Sequence, residues 1–237
     1  MDDKVLGIDL GTNSIGWAII ARDNDSCRLL HNGVHIFKEG VAREKGNEKP
    51  ATEDRTAHRG LRRHYDRRRL HKIQLLTVLV DVDMCPFLSK EELDDWRYAG
   101  KYPLKEDFLD WQKTNDVSGQ NPYSARYEAL TRTLDLSLQQ DRYLLGRALY
   151  HLAQRRGFLS NRKDTSKSAD GVVKSGIDDL TVSMTEAGCT YLGEYFYKLY
   201  ERGEKIRSRF TDRIAHVEKE FYAICEKQSL PKSLVDK

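Results

Sequence analysis

Two groups of residues have the types and spacing to do chemistry. One is a single carboxylate, Asp9, set in the apolar run Val5-Leu6-Gly7-Ile8-Asp9-Leu10. An acidic side chain inside an apolar strand is costly unless it is paired or bound to a cation. Asp9 is therefore a candidate cation ligand, the alternative being a cap on the turn Gly11-Thr12-Asn13-Ser14. The other group is cationic: Arg55, Arg59, Arg62, Arg63, Arg67, Arg68, Arg69 and Lys72 face only Glu53, Asp54 and Asp66, a net +5 between positions 51 and 72. The whole chain carries +3, so the remainder sums to −2 and the basic character sits in one place. Guanidinium groups suit phosphate because a planar fork donates two hydrogen bonds at once.

A helix is the element that must position these cations. At 100° per residue, Arg69, Arg62, Arg55, Arg59, Arg63 and Arg67 fan across roughly 160°, with Arg68 and Lys72 on the far side. Ala57, Leu61 and Tyr65 leave a narrow apolar strip for packing against protein. Arginines four apart repel one another in the isolated helix, and a polyanion reverses the sign of that effect. The phase continues through Ile73, Leu75, Leu76, Val78, Leu79 and Val80, which gives one helix of about 30 residues, on the order of 45 Å long. Its first half is a phosphate rail and its second half is buried. The competing reading is a solvated charged face or a localisation-type cluster.

For Asp9 the positioning elements are two apolar strands, Val5 to Leu10 and Ile15 to Ile20, joined as a hairpin, with a third strand from Cys27 to Phe37. Residues 38–50 read as a polar linker. Beyond the basic helix, Ser89-Lys90-Glu91-Glu92 has capping-box spacing and opens a short helix that reaches Tyr98. Further helices fit Leu104 to Trp111 and Tyr123 to Thr133, with Trp96, Phe108 and Trp111 as core. The strongest periodic segment starts near Ser137, buries Leu138, Leu144, Leu145, Ala148, Leu149 and Leu152 on one face, and ends at Gly157. A second basic cluster follows, Arg155, Arg156, Arg162 and Lys163, which could also serve only the helix macrodipole. Residues 164–176 read as a mobile loop, and helices over 191–202 and 211–228 flank Arg207-Ser208-Arg209-Phe210. The fold class is α+β, mostly helical.

A chain of 237 residues with 32% charged residues has room for a core and no apolar run near the ~20 residues of a membrane span. With no signal-peptide pattern, a cytoplasmic protein without a membrane partner is expected. Cys27, Cys85, Cys189 and Cys225 lack C-x-x-C spacing, so free thiols are expected rather than a zinc site or disulfides.

Gly7-Ile8-Asp9-Leu10-Gly11-Thr12-Asn13-Ser14-Ile15-Gly16-Trp17-Ala18 resembles the first RuvC nuclease segment of the type II CRISPR-associated, RNA-guided DNA endonucleases, the Cas-nine family. The arginine-rich stretch is similar to that family's bridge helix. Ala148 to Phe158 with Arg162-Lys163 resembles a motif at the start of its recognition lobe. Leu192-Gly193-Glu194 with Ile206-Arg207-Ser208-Arg209-Phe210-Thr211-Asp212-Arg213 resembles the segment after it. The resemblance implies three parts in family order: 1–50, a first segment of a ribonuclease H-like RuvC sheet; 51–80, the bridge helix; and 81–237, the start of a helical recognition lobe. It implies that Asp9 is the catalytic carboxylate holding Mg²⁺, or another divalent metal, in a DNA endonuclease of prokaryotic antiviral defence. It also implies guide-RNA contacts for the bridge-helix cations and for Arg155, Arg156, Arg162, Lys163, Arg207, Arg209 and Arg213. Guide RNA, target DNA and the remainder of the nuclease are the implied partners.

The family's other RuvC ligands, its HNH domain and its flanking-motif reader lie further along, and one Asp cannot assemble two-metal chemistry. The 237-residue chain alone is thus expected to be inactive, and three strands leave apolar faces exposed. Two other readings stand beside this one. A free-standing RNA-binding module makes the same binding predictions. An actin-like ATPase shares the Ile8-Asp9-Leu10-Gly11-Thr12-Asn13-Ser14 phosphate-loop pattern but gives the arginine helix no role.

Overall fold

The computed structural model describes residues 3–22, 26–38, 40–44, 47–50, 52–113, 121–159 and 169–235. It falls into two compact units, Met1–Asp66 and Arg67–Lys237.

In the first unit, β1 (Asp3–Leu10), β2 (Ser14–Arg22) and β3 (Cys27–Ile36) form an antiparallel sheet in the order β1-β2-β3. The β1–β2 turn is closed by Gly11 N–H donating to Ser14 O at 2.9 Å. A bulge shifts the β2–β3 register between Ile19, opposite His31, and Ile20, opposite Leu29. Residues directly opposite share a face. One face therefore carries Val5, Gly7 and Asp9 with Gly16, Ala18 and Ile20, and the other carries Leu6, Ile8 and Leu10 with Ile15, Trp17 and Ile19. Both faces are open: Leu10 is 75% exposed and Ile36 73%. The expected exposure of apolar faces is what the sheet shows.

The polar stretch 38–50 is not all linker. Val41–Glu44 (β4) and Asn47–Pro50 (β5) pair antiparallel, Val41 opposite Pro50. A strand whose residues are Val-Ala-Arg-Glu lacks the apolar alternation that reveals strands, and Pro is tolerated at the last position of an edge.

Helix α1 runs 29 residues, Glu53–Asp81, close to the length and limits expected. In the second unit its end is held through Ile73, Leu76 and Leu79, all buried. Then come α2 (Lys90–Asp94), a π-helical turn Asp95–Ala99, α3 (Glu106–Trp111), α4 (Pro122–Thr131) and α5 (Gln139–Gln154). The expected capping box is present: Ser89 N–H donates to Glu92 Oε2 at 2.7 Å and Glu92 N–H to Ser89 Oγ at 3.2 Å. Trp96, Phe108 and Trp111 are buried, as expected.

Helix α5 is central, with every residue from Leu145 to Leu152 buried, the pattern of a helix packed on all sides. Leu138, by contrast, is exposed in front of it. A Cβ on Gly146 would lie 1.7 Å from the carbonyl oxygen of Met84, so only glycine permits that approach.

Residues 164–168 lie outside the described residues, and residues 169–176 of the expected loop are helical instead, as the start of α6 (Ala169–Glu186). Glycine and serine lower its propensity, but Ile177, Leu180 and Met184 recur at three- and four-residue spacing and are buried. Gly176 has a packing reason, since a Cβ there would meet the Phe210 ring at 2.5 Å. Helices α7 (Leu192–Glu201), α8 (Lys219–Lys227) and α9 (Lys232–Val235) complete the unit, with a π-helical stretch Arg213–Glu218 leading into α8. Among the described residues no helix is long and apolar enough to cross a membrane. The four cysteines are free; Cys27 is exposed and the other three are buried.

Candidate nucleic-acid interface

The cations of α1 fall along an exposed rod. Arg55, Arg59, Arg62, Arg63, Arg67 and Arg68 are exposed, while Arg69 and Lys72 are half-buried where the helix enters the second unit. Burial and then the neighbouring Arg68 charge pull Lys72 below the ordinary lysine value. The expected packing strip is not packed. Leu61 is 48% and Tyr65 57% exposed, and Ala57 is exposed too, so the apolar anchor starts only at Ile73. The rod presents cations and a few apolar groups together to the outside.

The second basic cluster is built by a short backbone pairing. Past the end of α5, Gly157 adopts φ +71°, the left-handed conformation expected of a helix-terminating glycine. Phe158 N–H then donates to Thr211 O at 2.7 Å, and Arg213 N–H donates to Phe158 O at 2.8 Å. Asp212 is buried and caps the following turn, accepting from the N–H groups of Ile214 and Ala215 at 2.8 and 2.7 Å. Asp212 N–H donates to His216 Nδ1 at 3.1 Å, so that ring nitrogen carries no proton. Two stretches 50 residues and more apart are thereby brought together, with Arg155 and Arg156 on one and Arg213 on the other.

Arg156 and Arg213 line a groove of about 350 Å³ with His71 and Gln74 of α1, its walls formed by Leu75, Leu79, Leu149, Val217 and Phe221 among others. Arg156 is pulled below the usual arginine value by partial burial, then by Arg213, with Glu218 opposing. The Arg213 Nε is buried and has no hydrogen-bond partner among the described residues. Arg207 and Arg209 are exposed on the segment before, where Ser208 takes φ +73°, and the Arg209 guanidinium lies 5.8 Å from the centre of the Tyr195 ring. Arg162 and Lys163 lie outside the described residues.

Asp9 sits on the sheet face with Gly7, Gly16 and Ala18, and it is exposed. This corrects the premise that it is buried among apolar groups: in this unit its carboxylate faces outward beside small side chains. Among the described residues no group of three or more His, Cys, Asp or Glu side chains could hold a metal ion. The residues present do not make a Mg²⁺ site by themselves.

No family model matches the chain. Over 231 residues, 97% of its length, it is 29% identical to the CRISPR-associated endonuclease Cas9 of Campylobacter jejuni subsp. jejuni serotype O:2. The chain is similar to an N-terminal portion of Cas9. It spans 20% of that relative's length. A cryo-EM structure of the St1Cas9-sgRNA-AcrIIA6-tDNA59-ntPAM complex shares its fold over 99% of this chain and 25% of that one, with TM-score 0.53 and 17% identity. The St1Cas9-sgRNA-tDNA59-ntPAM complex matches with TM-score 0.50 and 18% identity, over 24% of its own chain. Likeness to Cas9 thus runs through the sheet, α1 and the helical unit, an α+β, mostly helical arrangement.

Sequence reasoning passed over buried polar residues of the helical unit. In the segment after the one that resembles the start of the recognition lobe, Gly193 N–H donates to Glu220 Oε2 at 2.7 Å, and Glu194 Oε2 accepts from the N–H groups of Thr190 and Tyr191. Glu220 itself carries no local signal, because its partner Arg126 is 94 residues away.

Proposed function

We propose that this chain is the N-terminal part of an RNA-guided DNA endonuclease, and that α1 with the second basic cluster grips the sugar-phosphate backbone of a guide RNA. The observation that carries this reading is one 29-residue helix that bears six exposed arginines and a half-buried seventh, and whose far end is anchored by Ile73, Leu76 and Leu79. Cations spread around most of a rod favour phosphate over base edges, so binding is insensitive to sequence. The bacterial Cas9 relative and the Cas9 complexes with sgRNA support guide RNA, target DNA and a cytoplasmic setting. The three parts 1–50, 51–80 and 81–237 correspond on this reading to a first RuvC segment, a bridge helix and the start of a recognition lobe.

Asp9 contributes one carboxylate to a divalent-metal nuclease site whose other ligands come from the remainder of the nuclease. The exposed carboxylate beside Gly7 and Gly16 leaves room for them. The isolated chain does not cleave DNA. Open apolar faces on the sheet favour this over a free-standing RNA-binding module, which would need them covered.

Titration against guide RNA at several salt concentrations tests the reading. If about half of the α1 cations meet phosphates, log affinity falls with log salt with a slope on the order of −3. Replacing Arg59, Arg62, Arg63 and Arg67 by Ala flattens that slope and weakens RNAs of different sequence about equally. An unchanged slope leaves α1 as a solvated spacer.

A further inference from the structure

Phe158 is 41% exposed, whereas Trp111 and Tyr150 are fully buried. It is also held rigidly. Both its backbone polar groups are engaged by the Thr211–Arg213 stretch, and its ring rests 5.7 Å from the ring of Phe210. Phe210 in turn presses on Gly176 of α6, where a Cβ would lie 2.5 Å from the ring. Gly157 just before it is fixed twice over, by its φ of +71° and by the 2.7 Å that would separate a Cβ from Thr211 O. Three segments therefore hold one aromatic ring at the surface.

Its neighbours along the chain and across the backbone pairing are cationic. Arg155 and Arg156 precede it in the chain, Arg213 pairs with it through the backbone, and the exposed Arg207 and Arg209 lie on the segment that carries Phe210. A ring that served only to fill the core would be covered, and a chance surface aromatic would not have a left-handed glycine, a two-bond clamp and an aromatic backing. A fixed, exposed ring flanked by arginines is the combination that binds unpaired nucleotides: the cations track phosphates while the base stacks on the ring.

We infer that Phe158 is a stacking platform for an unpaired base of the bound RNA, with Arg155, Arg156 and Arg213 taking the flanking phosphates. This rests on the RNA-binding reading and adds to it a site for single-stranded RNA, distinct from the phosphate rail of α1. Every base has a π-face, so the platform tolerates any base but requires one that is not paired.

The test uses the 237-residue chain with three probes of equal length: a single-stranded oligoadenylate, an RNA duplex and an abasic ribose-phosphate oligomer. Phe158→Leu keeps an apolar contact with Phe210 and removes the ring. It weakens the oligoadenylate on the order of tenfold, and leaves the duplex, the abasic oligomer and the salt slope unchanged. Phe158→Trp retains the affinity, and its added fluorescence is quenched by the oligoadenylate and not by the abasic oligomer. Equal oligoadenylate affinity in wild type and Phe158→Leu overturns the platform while leaving the phosphate rail intact. Equal weakening of all three probes also overturns it, by making Phe158 a structural residue. A wild-type chain that binds none of the probes overturns the RNA-binding reading itself.

Discussion

Arg126 of α4 and Glu220 of α8 form a two-pronged ion pair in the interior, Nε to Oε1 and Nη2 to Oε2, both 2.6 Å, with each side chain almost wholly buried. The pair joins residues 94 positions apart, and Gly193 of α7 adds its N–H to the same carboxylate, so three helices meet at one charge. Such a pair contributes little net stability over an apolar replacement, but removing one partner strands the other without water.

Glu220→Gln is therefore expected to destabilise the chain by about 3–5 kcal/mol, while Arg126→Met combined with Glu220→Leu recovers most of the loss. Gly193→Ala also destabilises, since its Cβ would lie 2.7 Å from Glu220 Oε1 and 3.0 Å from Leu130 Cδ1. Urea unfolding followed by far-UV circular dichroism measures all three. A double variant no more stable than Glu220→Gln would show that the pair is net stabilising.

Acid should weaken the helical unit through two histidines. Burial, followed by the charges of Arg126, Arg147 and Arg155, holds His151 well below the usual histidine value. Burial is likewise the first cause of the lowered His216 value, with Lys219 adding to it and Asp212 and Glu220 opposing. For groups kept neutral in the fold, the unfolded chain takes up protons first. Their contribution is present above about pH 6.5 and is lost as pH falls toward the folded values, by at most about 1.4 kcal/mol per pH unit for each. Asp141 and Glu92, whose values are lowered, lose theirs only below about pH 4. Unfolding free energy measured from pH 7.5 to 5.5 should thus fall, and His151→Gln should flatten the fall. A level profile in wild type would rule out the buried neutral histidines.

Much of this architecture is legible in the residues. The apolar continuation from Ile73 to Val80 marks how far α1 extends, and Ser89 with Glu92 marks the start of α2, because caps and periodicity are local signals. The β4–β5 pair and α6 escape such reading. One is too polar to alternate, and the other is punctuated by glycine and serine, its helix held by Leu180 and Met184 packing against Tyr123 of α4 and the apolar residues of α7. The cations of the interface are legible as a charge run, but the backbone clamp between Phe158 and Thr211–Arg213 is a long-range fact that no spacing rule encodes.

Asp9→Ala is expected to leave folding and RNA binding of this chain unchanged, because the side chain is exposed. Surface changes of this kind usually stay within about 0.5 kcal/mol. On the proposed reading, the same substitution in the complete nuclease should abolish cutting of one DNA strand while DNA binding persists. The purified chain with Mg²⁺ should nick no DNA. Nicking that Asp9→Ala removes would mean that this chain contains ligands beyond those described.

The open sheet makes a prediction about the isolated chain in solution. Leu10 and Ile36 stand at strand ends on opposite faces, 75% and 73% exposed, among the exposed Leu6, Ile8, Leu29 and Val34. Among the described residues no further strand pairs with the β1 and β3 edges, so exposed apolar faces and open edges favour pairing between copies. Self-association should rise with concentration and persist in high salt, because burial of apolar area is not screened. Leu10→Lys with Ile36→Lys places charge on both faces at positions with little cross-strand packing to lose, each such contact being worth about 0.2–1 kcal/mol. Sedimentation velocity of wild type and this double variant in low and high salt separates the cases. Wild type should form larger species that the variant lacks, with helical circular dichroism equal in both. Larger species that dissolve in salt and survive the double substitution would trace association to the charged surface of α1 instead.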